Sequence, residues 1–191
     1  MTDTAPSEIE PLLAQLYSAD ARAAGERLVA LGAAAVEPLI AVLNGRHPIP
    51  NLSHFGGIGA EPDSDAARER AAYLLGDIGD ARAVEPLIAA YAREPSRYMR
   101  LAIALALGKI GDARAVSTLV AMLNIPPFTP DYARVVDDYA RIAGTDAVEP
   151  LLRVVQSPHY TYGGAAHAAR ALVKLRADPR VLPGVIAALH S

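Results

Sequence analysis

A chain of 191 residues with 52% hydrophobic content can bury a continuous core as a single domain, 1–191, and with no cysteine it can form neither a disulfide framework nor a thiolate metal site. A net charge of −3, from 18 basic and 21 acidic residues, offers no electrostatic footprint to a nucleic-acid backbone. Met1 to Pro6 lack the basic and apolar parts of a signal peptide and no apolar run reaches the length of a membrane span, so a cytoplasmic protein with no membrane attachment is expected.

Ser7 followed by Glu10 reads as a capping box opening a helix with Ile9, Leu12, Leu13 and Leu16 on one face, the N-terminal cap of a helical stack. Asp20 caps Ala21 to Leu31, Gly32 stops it, and Val36, Leu39, Ile40 and Leu43 mark a partner helix ending near Asn44-Gly45. The pair returns at Asp65–Ile78 with Ala81–Arg93, at Ser96–Ile110 with Ala113–Leu123, at Asp131–Ala143 with Ala147–Gln156, and at Gly164–Leu175 with Pro179–His190. Each second helix opens on a version of Val84-Glu85-Pro86-Leu87-Ile88, with copies starting at Ile9, Val36, Val116, Val148 and Val181. The last three spacings, 32, 32 and 33 residues, define a period of stacked units that complete one another's cores. Proline lacks the donor a helix interior needs, which places Pro11, Pro38, Pro86 and Pro150 in first turns. Gly79-Asp80-Ala81-Arg82-Ala83 and Gly111-Asp112-Ala113-Arg114-Ala115 join first to second helices, glycine taking the left-handed backbone and aspartate capping the next amides.

The run from Arg68 to Ile88, with Leu74-Leu75-Gly76-Asp77-Ile78-Gly79-Asp80-Ala81-Arg82-Ala83-Val84-Glu85-Pro86 at its centre, resembles a HEAT repeat of the type named after phycobilisome bilin lyases. That resemblance implies an all-α fold, a right-handed α-α superhelix of the HEAT/armadillo-like kind, with five helical pairs after the capping helix. It also implies a choice of functions, since similar repeats serve as scaffolds, adaptors, bilin lyase subunits and metal-dependent deoxyhypusine hydroxylases. The hydroxylase branch holds its iron through paired His-Glu motifs, and no His-Glu dipeptide occurs here, which excludes it.

Function is sought where the copies differ. The 48-residue spacing between Val36 and Val84 carries an insertion over residues 45–63, which includes His54 and Phe55. The repeat-to-repeat connections on the same edge hold Tyr98, Phe128, Tyr132, Tyr160 and Tyr162 among prolines, and aromatic side chains on stiff loops are good interface anchors. Asp138 falls at an apolar register position and needs Arg134 or Arg141 as a partner. The loop histidines lack the helical spacing that preorganises a metal site, so no metal or other cofactor is called for, and no serine elbow or cysteine proposes a nucleophile. On the second helices the open side reads as an alanine floor beside Glu37, Glu85 and Glu149, with Arg153 at its end. Repeat arginines such as Arg82 or Arg114 could ladder with these glutamates instead. The expectation is a non-catalytic adaptor binding a protein or peptide with basic residues through this row and the edge aromatics. The alternative is a bilin lyase-like subunit that holds a tetrapyrrole.

Overall fold

Alanine and leucine dominate the helical stretches, and both enter an α-helix at little conformational cost, so helices extend until glycine or proline interrupts. The computed structural model describes residues 5–17, 21–46, 64–125, 131–157 and 164–188, and every regular element among them is helical. The chain has the all-α architecture of successive helical pairs that the periodicity predicts. It divides into two compact units, residues 1–106 and 107–191.

The first unit holds α1 (Ala5–Gln15), α2 (Ala21–Leu31), α3 (Val36–Leu43), α4 (Ser64–Ile78), α5 (Val84–Arg93) and most of α6 (Arg97–Ile110). Leu13, Leu16, Leu28, Leu39, Leu43, Leu75 and Leu87 are fully buried, each worth roughly 2 kcal/mol of transfer free energy. Helix α1 departs from expectation. It already runs from Ala5, so Ser7 is not its cap, and Pro11 lies in its interior rather than in a first turn. Pro38 and Pro86 do stand at the third positions of α3 and α5, where the missing N–H has no helical partner to lose.

The second unit takes the end of α6 with α7 (Val116–Leu123), α8 (Tyr132–Ala143), α9 (Val148–Gln156), α10 (Gly164–Lys174) and α11 (Val181–Ala188). Its core is built around Tyr132 and Tyr139, both 1% exposed, with Leu119, Val136, Leu151 and Leu172.

Short 3-10 turns precede most second helices, as at Ala81–Ala83 and Ala113–Ala115, where an uninterrupted α-helix was expected. The cause is local. Gly79 and Gly111 reverse the chain at φ 73° and 77°, and the Asp80 and Asp112 carboxylates accept the amides of Arg82 and Arg114, which closes a tighter turn before the α-helix begins.

Glycine also sets the spacing between neighbouring first helices. A Cβ on Gly76 would stand 2.7 Å from the Ala106 Cα, within the first unit, and one on Gly108 would stand 2.5 Å from an Asp138 oxygen, within the second. Backbones therefore approach closely at these two positions.

Candidate functional site

The arginines that the repeat pattern supplies turn out to hold the fold together across its hairpins. In the first unit Arg82 grips Asp80 through Nε and Nη2 and also donates to the Ala33 carbonyl at 2.8 Å. Arg68 reaches the Leu43 carbonyl at 3.2 Å, and Arg70 reaches the Leu16 carbonyl at 2.5 Å. In the second unit Arg180 repeats the Arg82 arrangement, with Asp178 at 2.8 Å and the Thr145 carbonyl at 2.9 Å, and Arg141 donates to the Gly108 carbonyl at 2.7 Å. Each side chain thus satisfies a carbonyl that the end of an earlier helix leaves without a helical donor, where a cation also suits the helix dipole.

These bonds show how the repeat arginines relate to the glutamate row. Arg82 and Arg180 are bonded to aspartates and carbonyls, while Glu37 and Glu149 act on them only at longer range, helping to keep the guanidinium groups protonated behind the dominant Asp80 and Asp178 hydrogen bonds. Glu37 and Glu85 on the first unit, and Glu149 with Arg153 on the second, are solvent-exposed on their helices.

The edge aromatics part company. Tyr98 stands 62% exposed at the start of α6. Tyr132 does not serve as a surface anchor: it is buried, and its hydroxyl donates to the Leu123 carbonyl at 2.9 Å, closing the end of α7. A tyrosine at the first position of α8 points along the helix into the core, which its place among prolines in the sequence concealed. His54, Phe55, Phe128, Tyr160 and Tyr162, with residues 47–63 of the insertion, lie outside the described residues.

Asp138 meets the partner expected at i+3, with the Arg141 guanidinium 2.9 Å away and only a quarter of its own side chain exposed. Since Arg141 also caps Gly108, the carboxylate belongs to the packing of the second unit. A comparable group near Tyr98 was not foreseen. Glu94 is 4% exposed and pairs with Arg68 at 2.5 Å, and its other oxygen accepts the Ser96 amide. The signal lay in Glu94-Pro95-Ser96, a short connection that turns its acid inward. Among the described residues no cluster of three or more metal-ligating side chains occurs, and no helix is long and apolar enough to cross a membrane.

One cavity is large enough for a ligand. About 650 Å³ opens in the first unit between α2 and α4, floored by Leu16, Val29, Tyr73 and Leu74 and edged by Arg22, Glu26, Arg70 and Asp77. Its register follows from Gly25, where a Cβ would come 3.1 Å from Leu74. Arg22 and Arg70 are therefore at one end and Asp77 at the other. Sequence reasoning missed it, although a glycine within α2 is the kind of close-approach signal that marks such a groove.

Residues 59–134 match the family model for HEAT repeats. The chain is a HEAT-repeat protein, of the type its turn and anchor residues resemble. Comparison with curated proteins finds no match. Among solved structures it is similar to the complex of CpcE and CpcF of phycocyanin lyase from Nostoc sp. PCC7120, at 27% sequence identity and a TM-score of 0.58. That likeness covers 91% of this chain and 66% of the other, just under two thirds of its length. It corrects one expectation. The absence of nucleophile and metal motifs argued for a chain with no enzymatic part to play, but the similar structure is a lyase, and an enzymatic role is where the likeness points.

Proposed function

We propose that the chain is a HEAT-repeat subunit of a lyase-type assembly and that it holds a protein substrate through the exposed side of its second helices. The observation that carries this reading is the likeness, over 91% of the chain, to a phycocyanin lyase built of two named components. Glu37 and Glu85 in one unit and Glu149 in the other present carboxylates from the first turns of their helices, so a protein segment bearing lysine or arginine is the fitting partner. Tyr98 and Arg153 extend that surface, and His54, Phe55, Phe128, Tyr160 and Tyr162 are further contacts on the sequence pattern. The test is to measure binding of the phycocyanin apo-polypeptide to wild type and to the Glu37→Lys, Glu85→Lys, Glu149→Lys triple variant. Binding weakened at least about tenfold in the variant supports the reading, because three like-charge contacts replace three favourable ones. No binding by wild type, or equal binding by both, overturns it.

A second reading is favoured by the cavity between α2 and α4. Its volume and apolar floor suit a flat organic molecule, and the Arg22 and Arg70 end suits carboxylates, so the subunit itself would hold the tetrapyrrole. Titrating the chain with a bilin should then shift the absorption band, and Arg70→Ala should remove the shift. An unchanged spectrum on wild type defeats this reading alone.

A further inference from the structure

In a stacked-repeat chain each hairpin is covered by the next, and residues that face forward are small or apolar because they are buried. Two residues before the apolar residue that ends each first helix, the chain places Gly76, Gly108 and Ala140, all buried. Gly76 lies against Ala106 and Gly108 against Asp138, each on the following hairpin. The same position in α10 is Val173, and it is 60% exposed. The second helices repeat the pattern. Leu152, four residues beyond the start of α9, packs against the following hairpin so closely that a Cβ on Gly184 would come 2.5 Å from it. Its counterpart in α11 is Val185, half-buried, and beside it Leu182 and Ile186 are 69% and 49% exposed where α9 carries Glu149 and Arg153.

The α10–α11 hairpin therefore carries forward-facing apolar side chains at the register positions that, earlier in the chain, are covered by another hairpin. Scattered exposed apolar residues are ordinary on a protein surface, but a set sharing one register and one direction marks a contact face. Its surroundings set the partner's charge. From Gly164 to Ser191 the sequence holds Arg170, Lys174, Arg176 and Arg180 against Asp178 alone, a local balance of +3 in a chain whose net charge is −3.

We propose that this face of α10 and α11 docks a helical hairpin of a second HEAT-type chain, one whose matching surface is apolar and bordered by carboxylates. The proposal rests on the reading of the chain as a subunit of a lyase-type assembly and names the surface by which that assembly forms. The occupant is a repeat hairpin because that is what covers Gly76, Gly108 and Leu152 within this chain. The acidic border follows from the basic one, and it disfavours a second copy, whose own hairpin would bring like charges together.

The probes are the CpcE and CpcF subunits of the Nostoc lyase, offered separately to the full chain in sedimentation and calorimetric titrations, with phycocyanin binding measured in parallel. One subunit should bind wild type, and Val173→Glu and Leu182→Glu should each weaken that complex about tenfold or more while helicity and phycocyanin binding stay unchanged. A complex indifferent to both substitutions overturns the assignment of the face and leaves the proposed function standing. Absence of a complex with either subunit also overturns it, while loss of phycocyanin binding by wild type would instead strike the proposed function. A wild-type homodimer that Leu182→Glu dissociates would give the face to a second copy and overturn the proposal as well.

Discussion

Asp80, Asp112 and Asp178 each accept a side-chain hydrogen bond from the arginine two residues on, and then that arginine's amide, which together lower their carboxyls from 3.8 to about 2. A carboxyl held low in the folded state stabilises it fully above the unfolded value of 3.8, and the contribution is lost as pH falls from 3.8 through about 2. Asp80→Asn and Asp178→Asn should therefore lower the melting temperature at pH 7, with the gap from wild type closing as the buffer is taken from about pH 4 to pH 2. A gap that persists unchanged at pH 2 would place the aspartates' contribution elsewhere. Glu94 makes a second case at this scale. Truncation to alanine leaves Arg68 without its buried partner, at a cost of roughly 3 kcal/mol in chemical denaturation, because an uncompensated charge is worse than a missing pair. The capping role of Asp80 was legible because it acts over two residues. The reach of Arg82 to Ala33 was not, since it depends on how two hairpins sit together.

Helix by helix, period and punctuation placed most elements to within two residues. The boundary at Leu31 and the starts at Val36, Val84, Val116 and Val148 come from left-handed glycines and from prolines confined to first turns. Two elements escaped for physical reasons. Helix α1 begins early because its interior proline leaves the helix intact, and α8 swallows Tyr132 because a short Pro-rich approach lets the helix turn that ring inward. The closeness of α4 to α6 gives a prediction proper to elements. Gly76→Ala would set a methyl against the Ala106 backbone, which cannot yield as a side chain can. About 2 kcal/mol should be lost, outweighing the helix propensity that alanine gains. A variant as stable as wild type in urea would show that the helices separate at little cost.

For the molecule as a whole, composition excluded much and the comparisons supplied what it could not. The repeat type was readable from Gly79 to Ile88 and is matched by the HEAT model over residues 59–134. The expectation of no enzymatic role failed because it was drawn from missing motifs, and a lyase subunit can contribute geometry and binding without carrying a nucleophile. The cavity stayed hidden since its walls, Arg22, Arg70 and Tyr73, look like ordinary helix surface until α2 and α4 are set side by side. Charge is distributed unevenly along the sequence, with +3 from Gly164 onward against −3 overall. Association of the α10–α11 face with an acidic-bordered HEAT chain should accordingly be fastest at low ionic strength. Its on-rate should fall about tenfold or more between roughly 20 and 500 mM salt, because steering is screened within a Debye length of about 10 Å at 0.1 M. An on-rate flat across that range would remove charge from the recognition.

The clasp of Arg82 on Asp80 and Ala33, and of Arg180 on Asp178 and Thr145, fastens hairpins at the ends where first helices hand over to second ones. The opposite ends, where one repeat passes to the next, are left outside that fastening. Foreign peptides spliced there, between Leu123 and Tyr132 or between Gln156 and Gly164, should leave the alignment of neighbouring pairs intact, which makes this chain a usable chassis for grafted binding loops.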